Sequence, residues 1–234
     1  MALYGTLING ILIIAGSILG LFFTKIPEKY KETVMHGIGL VVTLIGLQMA
    51  FSTEIIVIVL LSLLSGAIIG EFFKIEDGLN QFGTWIGSKF TNNQDDVSVS
   101  QGFVTASLIF VVGAMSIIGA LDGGLRGDHE VLVTKGFIDG FVALVLTTTL
   151  GFGVILSVFP VVIYQGSIAL LATQIDRWIP EQILQGMIIE ITAVGGLLIA
   201  AIGLNLLKIV NIRIGNLLPA IFMAVPIYYI YYLI

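Results

Sequence analysis

The sequence predicts an all-α polytopic membrane protein, a transmembrane helix bundle of about eight spans. Three observations predict it. Hydrophobic residues fill 57% of the 234 positions and charged residues only 11%, against about 25% charged in ordinary soluble domains. Mean hydropathy is +1.08. The apolar residues also come in long runs, such as Leu3–Phe23 and Ile55–Phe73, each long enough as a helix to cross a hydrocarbon core about 30 Å thick.

The spans fall near residues 3–23, 34–51, 55–73, 102–121, 136–157, 160–176, 185–206 and 214–233. The sixth is short, opens on Pro160 and carries Tyr164, Gln165, Thr173 and Gln174; if it is re-entrant, seven spans remain. Charge orients the bundle. With eight spans and the N-terminus outside, inner loops hold Lys25, Lys29, Lys31, Lys74, Lys89, Lys208 and Arg213, and outer loops hold Arg126, Lys135 and Arg177. Seven against three obeys the positive-inside rule. If the sixth segment turns back, the ratio falls to six against four. Met1-Ala2-Leu3-Tyr4 lacks the basic stretch of a secretory signal, so the first run is expected to stay as a span.

The chain reads as one domain over 1–234. A first three-span block occupies 1–73, and a central helix pair fills 102–157. A second three-span block covers 158–234. Between the first two blocks, 74–101 differs in character. Ile75, Leu79, Phe82, Ile86 and Phe90 recur every three to four residues beside Trp85. That spacing predicts a helix lying in the inner interface, with Thr91–Gln101 following as a polar loop. Tyr228, Tyr229, Tyr231 and Tyr232 predict an aromatic belt at the outer surface.

The two outer blocks echo each other. Asn9-Gly10 answers Gln165-Gly166, and Ile26-Pro27-Glu28 answers Ile179-Pro180-Glu181. Gly39-Leu40 followed by Ile45-Gly46-Leu47-Gln48 answers Gly196-Leu197 followed by Ile202-Gly203-Leu204-Asn205. The order is shared, while the gap between the second and third matches differs by four residues. Copies five spans apart must point in opposite directions, so an inverted repeat of three helices each is expected. That plan recurs in transporters and places ligands where the repeats meet.

Glycines four apart share a helix face: Gly16 with Gly20, Gly66 with Gly70, Gly119 with Gly123, Gly136 with Gly140. Such faces let backbones approach where lipid removes the hydrophobic drive for association. They are compatible with a homodimer and equally with internal packing. Gly195-Gly196, Pro219 and Pro226 are candidate kinks or unwound turns.

Four acids lie in or beside the spans. Asp139 and Glu190 sit inside the fifth and seventh, while Asp122 and Glu71 lie at span ends in reach of interfacial water. A charge at mid-membrane costs about 2.5–3.5 kcal/mol on insertion scales, so Asp139 and Glu190 are expected to face a partner or a wet cavity. Lys135, four residues before Asp139, is a candidate partner on one helix face. Arg126 can pair with Asp122 or Asp128. The amides Asn9, Gln48, Gln165 and Asn205 add oxygen donors. Carboxylates and carbonyl oxygens together suit hard cations or protons, whereas amides alone suit interhelical hydrogen bonds.

Other classes fit poorly. A formal charge of −5 argues against nucleic-acid binding. With no cysteine there is no thiolate chemistry. The two histidines, His36 and His129, form no zinc-protease motif. No nucleophile elbow appears. Neither an enzyme nor a resident cofactor is expected. Asn9-Gly10 with Gly16-Ser17 and Gly20, Gly66–Glu71, Gly113 to Asp122-Gly123-Gly124, and Lys135 with Asp139-Gly140 together resemble the YdfK/YqgA-like bacterial membrane proteins of unknown function, over essentially the whole chain. The resemblance implies a bacterial inner-membrane protein and supplies no substrate. The functional expectation is a transporter or channel for a small solute, a cation or a proton-coupled substrate, embedded in the bilayer. Its pathway residues would be Asp139, Glu190, Asn9, Gln48, Gln165, Asn205, Asp122 and Glu71. The alternative is a non-transporting scaffold or accessory subunit whose polar groups lock helices together.

Overall fold

The structure is a computed structural model that describes residues 2–22, 28–81 and 96–233. Among these the chain is helical, without strands. The helices are α1 (Tyr4–Phe22), α2 (Glu28–Ala50), α3 (Ile56–Phe73), α4 (75–81), α5 (Asp96–Val111), α6 (Ala114–Leu125), α7 (Glu130–Leu150), α8 (Val158–Trp178), α9 (Glu181–Leu206), α10 (Ile214–Leu217) and α11 (Pro219–Leu233). A 3-10 segment, Gly151–Ser157, links α7 to α8. Six helical stretches are long and apolar enough to cross a membrane, or seven when the bent pair α5–α6 counts as one. That count takes Glu130–Trp178 as a single 49-residue stretch. At about 1.5 Å per residue it is more than twice what one crossing needs.

The chain divides into two compact units, Met1–Glu32 with Gln81–Trp178, and Thr33–Asn80 with Ile179–Ile234. In the first unit, α1 and α7 run parallel at close range. Gly5 faces Leu132, Gly16 faces Gly140, and Gly20 faces Leu144 and Thr147. A Cβ at Gly16 would collide with the Gly140 backbone, so only glycine permits this approach. Helix α8 runs the other way along α1: Gly10 faces Val158 and Val162, and Leu3 faces Gly166. The chain therefore reverses between α7 and α8, at a segment that opens on Gly151 with φ +68°, a region that favours glycine. Gly124 of α6 meets Ala169 and Ala172 of α8, and Gly153 meets Val99 of α5.

In the second unit, α2 and α9 cross antiparallel. Gly39 abuts Gly203 and Leu207, while Gly46 abuts Gly196 and Ala200. Helix α3 is antiparallel to the α10–α11 segment, with Gly66 against Ala220 and Gly70 against Asn216. Helix α3 ends at Lys74, whose left-handed φ of 52° terminates the hydrogen-bond ladder.

Several expectations change. The polar stretch through Gln101 is not all loop, because α5 already begins at Asp96; an acid at a helix start is favoured by the dipole. Of the interfacial helix, 75–81 is helical, and 82–90 lies outside the described residues, as do 91–95. The fourth span is not a straight helix over 102–121. It is bent by 60° between Val111 and Ala114, where Gly113 adopts φ 136° and ψ 147°. The sixth segment is a 21-residue helix rather than a short one. Pro160 sits in its first turn, where a missing N–H breaks no helical bond. Gly195-Gly196 leaves no unwound turn, since α9 continues through it for 26 residues; both glycines are buried, and Gly196 packs against Gly46 and Ala50. Pro219 does open α11 after the one-turn α10, whereas Pro226 lies inside an unbroken helix.

Candidate functional site

The break at Gly113 positions the first site. The last carbonyls of a helix have no partner within it, and the carbonyl of Phe110 is one of these. Two side chains supply donors: Ser116 Oγ at 3.0 Å and Lys135 Nζ at 2.8 Å. Lys135 also donates to Asp139, one turn further along α7. Gln165 Nε2 of α8 donates to Ser116 Oγ at 3.5 Å, and Asn9 Nδ2 of α1 donates to Gln165 Oε1 at 3.3 Å. The Asn9 amide also lies close to the Asp139 carboxylate. Together these groups form a circuit of polar contacts through α1, α5, α6, α7 and α8. All its side chains are buried, Asn9, Ser116 and Gln165 completely so. Asn9 Oδ1 has no hydrogen-bond partner, and neither do the buried hydroxyls of Thr6, Ser17 and Thr147 along the α1–α7 seam.

The second unit holds a different carboxylate. Glu190 is 2% exposed, and both its oxygens lie 2.9 Å from one hydroxyl, Thr53 Oγ1. That same oxygen accepts the Ile55 N–H at 3.0 Å. Thr53 lies in the short connection between α2 and α3, so a loop side chain reaches the middle of α9.

The remaining expected residues separate by environment. Glu71 is exposed and accepts from Asn216 Nδ2 at 2.7 Å and Arg213 at 3.0 Å. Asn216 Oδ1 in turn accepts the Glu76 N–H at 2.8 Å, and Glu76 accepts the Gly215 N–H at 2.6 Å. This is a latch between the α3–α4 corner and the start of α10. Asn205 makes two bonds to Ile212, accepting its N–H and donating to its carbonyl, which closes the turn after α9. Gln48 is exposed. Asp122 is 3.8 Å from Arg126 at the solvent-facing end of α6, so Arg126 takes Asp122 and not Asp128. Asp139, Asn9 and Gln165 are thus brought together; Gln48, Asn205, Asp122 and Glu71 are not part of that circuit.

Sequence reasoning passed over Phe110, Ser116 and Thr53. A main-chain carbonyl leaves no residue-type signal, although Gly113 next to a serine three residues on could have marked the break. Thr53 stands in a span connection, where hydroxyls are common. Among the described residues, no group of three or more His, Asp or Glu is placed to hold a metal ion.

Comparison with known proteins places the chain. Residues 4–229 match the family described as protein of unknown function, DUF554. The chain belongs to that family. It is 32% identical over 224 residues to the uncharacterized membrane protein YdfK of Bacillus subtilis (strain 168), covering 94% of this chain and 93% of the relative. It is 30% identical over 231 residues to the uncharacterized protein YqgA of Escherichia coli (strain K12), covering 95% of each. No solved structure matches it. In this DUF554 protein, then, a broken helix, an ion pair and two amides meet inside a membrane-protein unit. Chemically the circuit sets a carboxylate and a carbonyl oxygen on one ammonium, with hydroxyl and amide groups beside them, an arrangement suited to holding a cation or passing a proton.

Proposed function

We propose that this protein transports a small solute across the bacterial cytoplasmic membrane, the solute being a cation or a substrate moved with protons. One observation carries the reading: the freed Phe110 carbonyl at the break in α5–α6 lies in a circuit of buried polar groups that includes an ion pair. Helix breaks inside membrane proteins supply carbonyls and dipole ends at transport sites, and intramembrane ion pairs are costly to keep without a role. The unpartnered oxygens of Asn9, Thr6, Ser17 and Thr147 support it further, because buried polar atoms without protein partners call for water or a passing solute.

The same reading includes eight spans with the N-terminus outside, and an inverted repeat. The opposite courses of α7 and α8 along α1 support counting them as two spans. Within the first unit, Asn9 bonds Gln165, its counterpart in the proposed repeat. Within the second, matching Gly39 to Gly196 and Gly46 to Gly203 converts the Gly39–Gly203 contact into Gly196–Gly46, which is also a contact. Antiparallel crossings that exchange in this way are what a two-fold axis in the membrane plane produces. The cysteine-free sequence makes the topology testable: single cysteines replacing Asp128 and Glu181 should label from outside intact cells, and one replacing Ile209 should not.

A second reading, a non-transporting scaffold, draws support from Asn205 and Glu71, whose partners tie neighbouring segments together. Uptake of radioactive sodium and rubidium, and of protons by a pH dye, into proteoliposomes separates the two. Transport predicts that Asp139→Asn and Glu190→Gln abolish flux while detergent-solubilised protein still elutes and melts as folded. Normal flux in both variants removes these residues from the pathway. Collapse of both folds favours the scaffold.

A further inference from the structure

We propose that the Lys135 ammonium is a tethered cation. It fills an oxygen-lined site for a monovalent cation, so an alkali-metal ion has no place there in the native chain and takes the position once the side chain is shortened. The inference names the cation of the circuit that carries the transport reading, and so rests on the same residues.

Two groups bond the ammonium, the Phe110 carbonyl and the Asp139 carboxylate, and two more flank them. The Phe110 carbonyl lies at the C-terminal end of α5, where the helix dipole is negative and favours a cation. The Asp139 carboxylate approaches from α7. The Ser116 hydroxyl bonds the same carbonyl at 3.0 Å. Asn9, fully buried and close to Asp139, keeps its Oδ1 without a partner. Hard oxygen donors of this kind coordinate alkali and alkaline-earth ions. The ammonium is a compact point charge on a flexible stem, and Lys135 delivers it while being only 6% exposed. Helix α7 is approached closely by α1 at Gly136 and Gly140, which brings Asn9 beside Asp139.

A functional consequence follows. The groups bonded around Lys135 comprise one ionisable partner, Asp139 on its own helix; α1, α5, α6 and α8 contribute Asn9, the Phe110 carbonyl, Ser116 and Gln165, none of which titrates. The charge at this position changes only by a proton leaving the ammonium to water or joining the Asp139 carboxylate; transfer between the two leaves it unchanged. A coupling ion acting here is therefore a proton and not sodium.

The test is thermal unfolding of the purified full-length protein in sodium, potassium and choline chloride at matched ionic strength. The wild type should melt at the same temperature in all three. Lys135→Ala should gain about 3 °C or more in sodium or potassium over choline, and Lys135→Ala/Asp139→Asn should lose that gain. Methylammonium chloride should raise the melting temperature of Lys135→Ala as well. The proposal is overturned if Lys135→Ala ignores the cation, if the wild type responds equally, or if the double variant keeps the gain. Should Lys135→Ala not fold, Lys135→Met is compared with Lys135→Met/Asp139→Asn: the double must be the more stable, and one no better than the single overturns the proposal. Because the readout is binding and stability, a failure of flux leaves this result standing, and the converse also holds.

Discussion

Among the described residues, the two units each bury one carboxylate, and they treat it differently. Asp139 is held by a lysine one turn away on the same helix, with Asn9 close by across the glycine-lined α1–α7 seam. Glu190 bonds a single threonine hydroxyl from the α2–α3 connection. A hydroxyl carries one hydrogen, so it can donate to only one of the two oxygens at a time. Among the described residues, no ion pair reaches Glu190. Burying a lone carboxylate is expensive unless it is paired or neutralised. The difference teaches that the first unit carries a counter-charge for its carboxylate one helical turn away, while Glu190 has none among the described residues.

The largest expected effect tests that counter-charge. Lys135→Met removes the ammonium and leaves both Asp139 and the Phe110 carbonyl without their main donor. Losing one partner of a buried pair costs about 3–5 kcal/mol, seen as a lower unfolding midpoint in detergent. Glu190→Gln has no ion pair to break, so its stability should change by less than about 1 kcal/mol. Equal losses in the two variants would erase the contrast. Next comes Thr53→Val. It takes away the hydroxyl bonding Glu190, at about 1.5–3 kcal/mol for a hydrogen bond to a charged group. Thr53→Ser should restore most of that, because serine keeps the oxygen. A Thr53→Val protein as stable as the wild type would mean that Glu190 draws its partner from elsewhere.

Much of this was readable in the sequence, for identifiable reasons. Apolar runs located the helices, since lipid forces each backbone to satisfy itself within its own helix. The i,i+4 spacing disclosed the Lys135–Asp139 pair, and glycines four apart disclosed the α1–α7 seam. Asn9 and Gln165, 156 positions apart, resemble each other in motif, but the expected topology put them on opposite sides of the bilayer, and their bond is a tertiary result. What stayed hidden depends on tertiary geometry. The bend at Gly113 lies in a segment apolar on both sides, so hydropathy runs straight through it. The Gly195-Gly196 pair looked like a weak point, but burial in α9 keeps the helix intact. Glu190 was marked as expensive, yet its partner on a loop 137 residues away had no spacing rule to reveal it.

The smallest effects sharpen the contrast between two amides that end similar sequence motifs. Asn205 and Gln48 close matching motifs, yet only Asn205 is engaged. It accepts the Ile212 N–H at 2.9 Å and donates to the Ile212 carbonyl at 2.8 Å, closing the turn that follows α9. Asn205→Ala leaves both main-chain groups short of a partner and should cost about 1–2 kcal/mol. Gln48 is exposed on α2, and Gln48→Ala should move stability by no more than about 0.5 kcal/mol. The pair of measurements asks whether a shared motif implies a shared role. If Gln48→Ala leaves both melting and flux unchanged, the two matching motifs do not share the turn-closing task that Asn205 performs. If it abolishes flux without altering the fold, Gln48 takes part in transport despite its exposure.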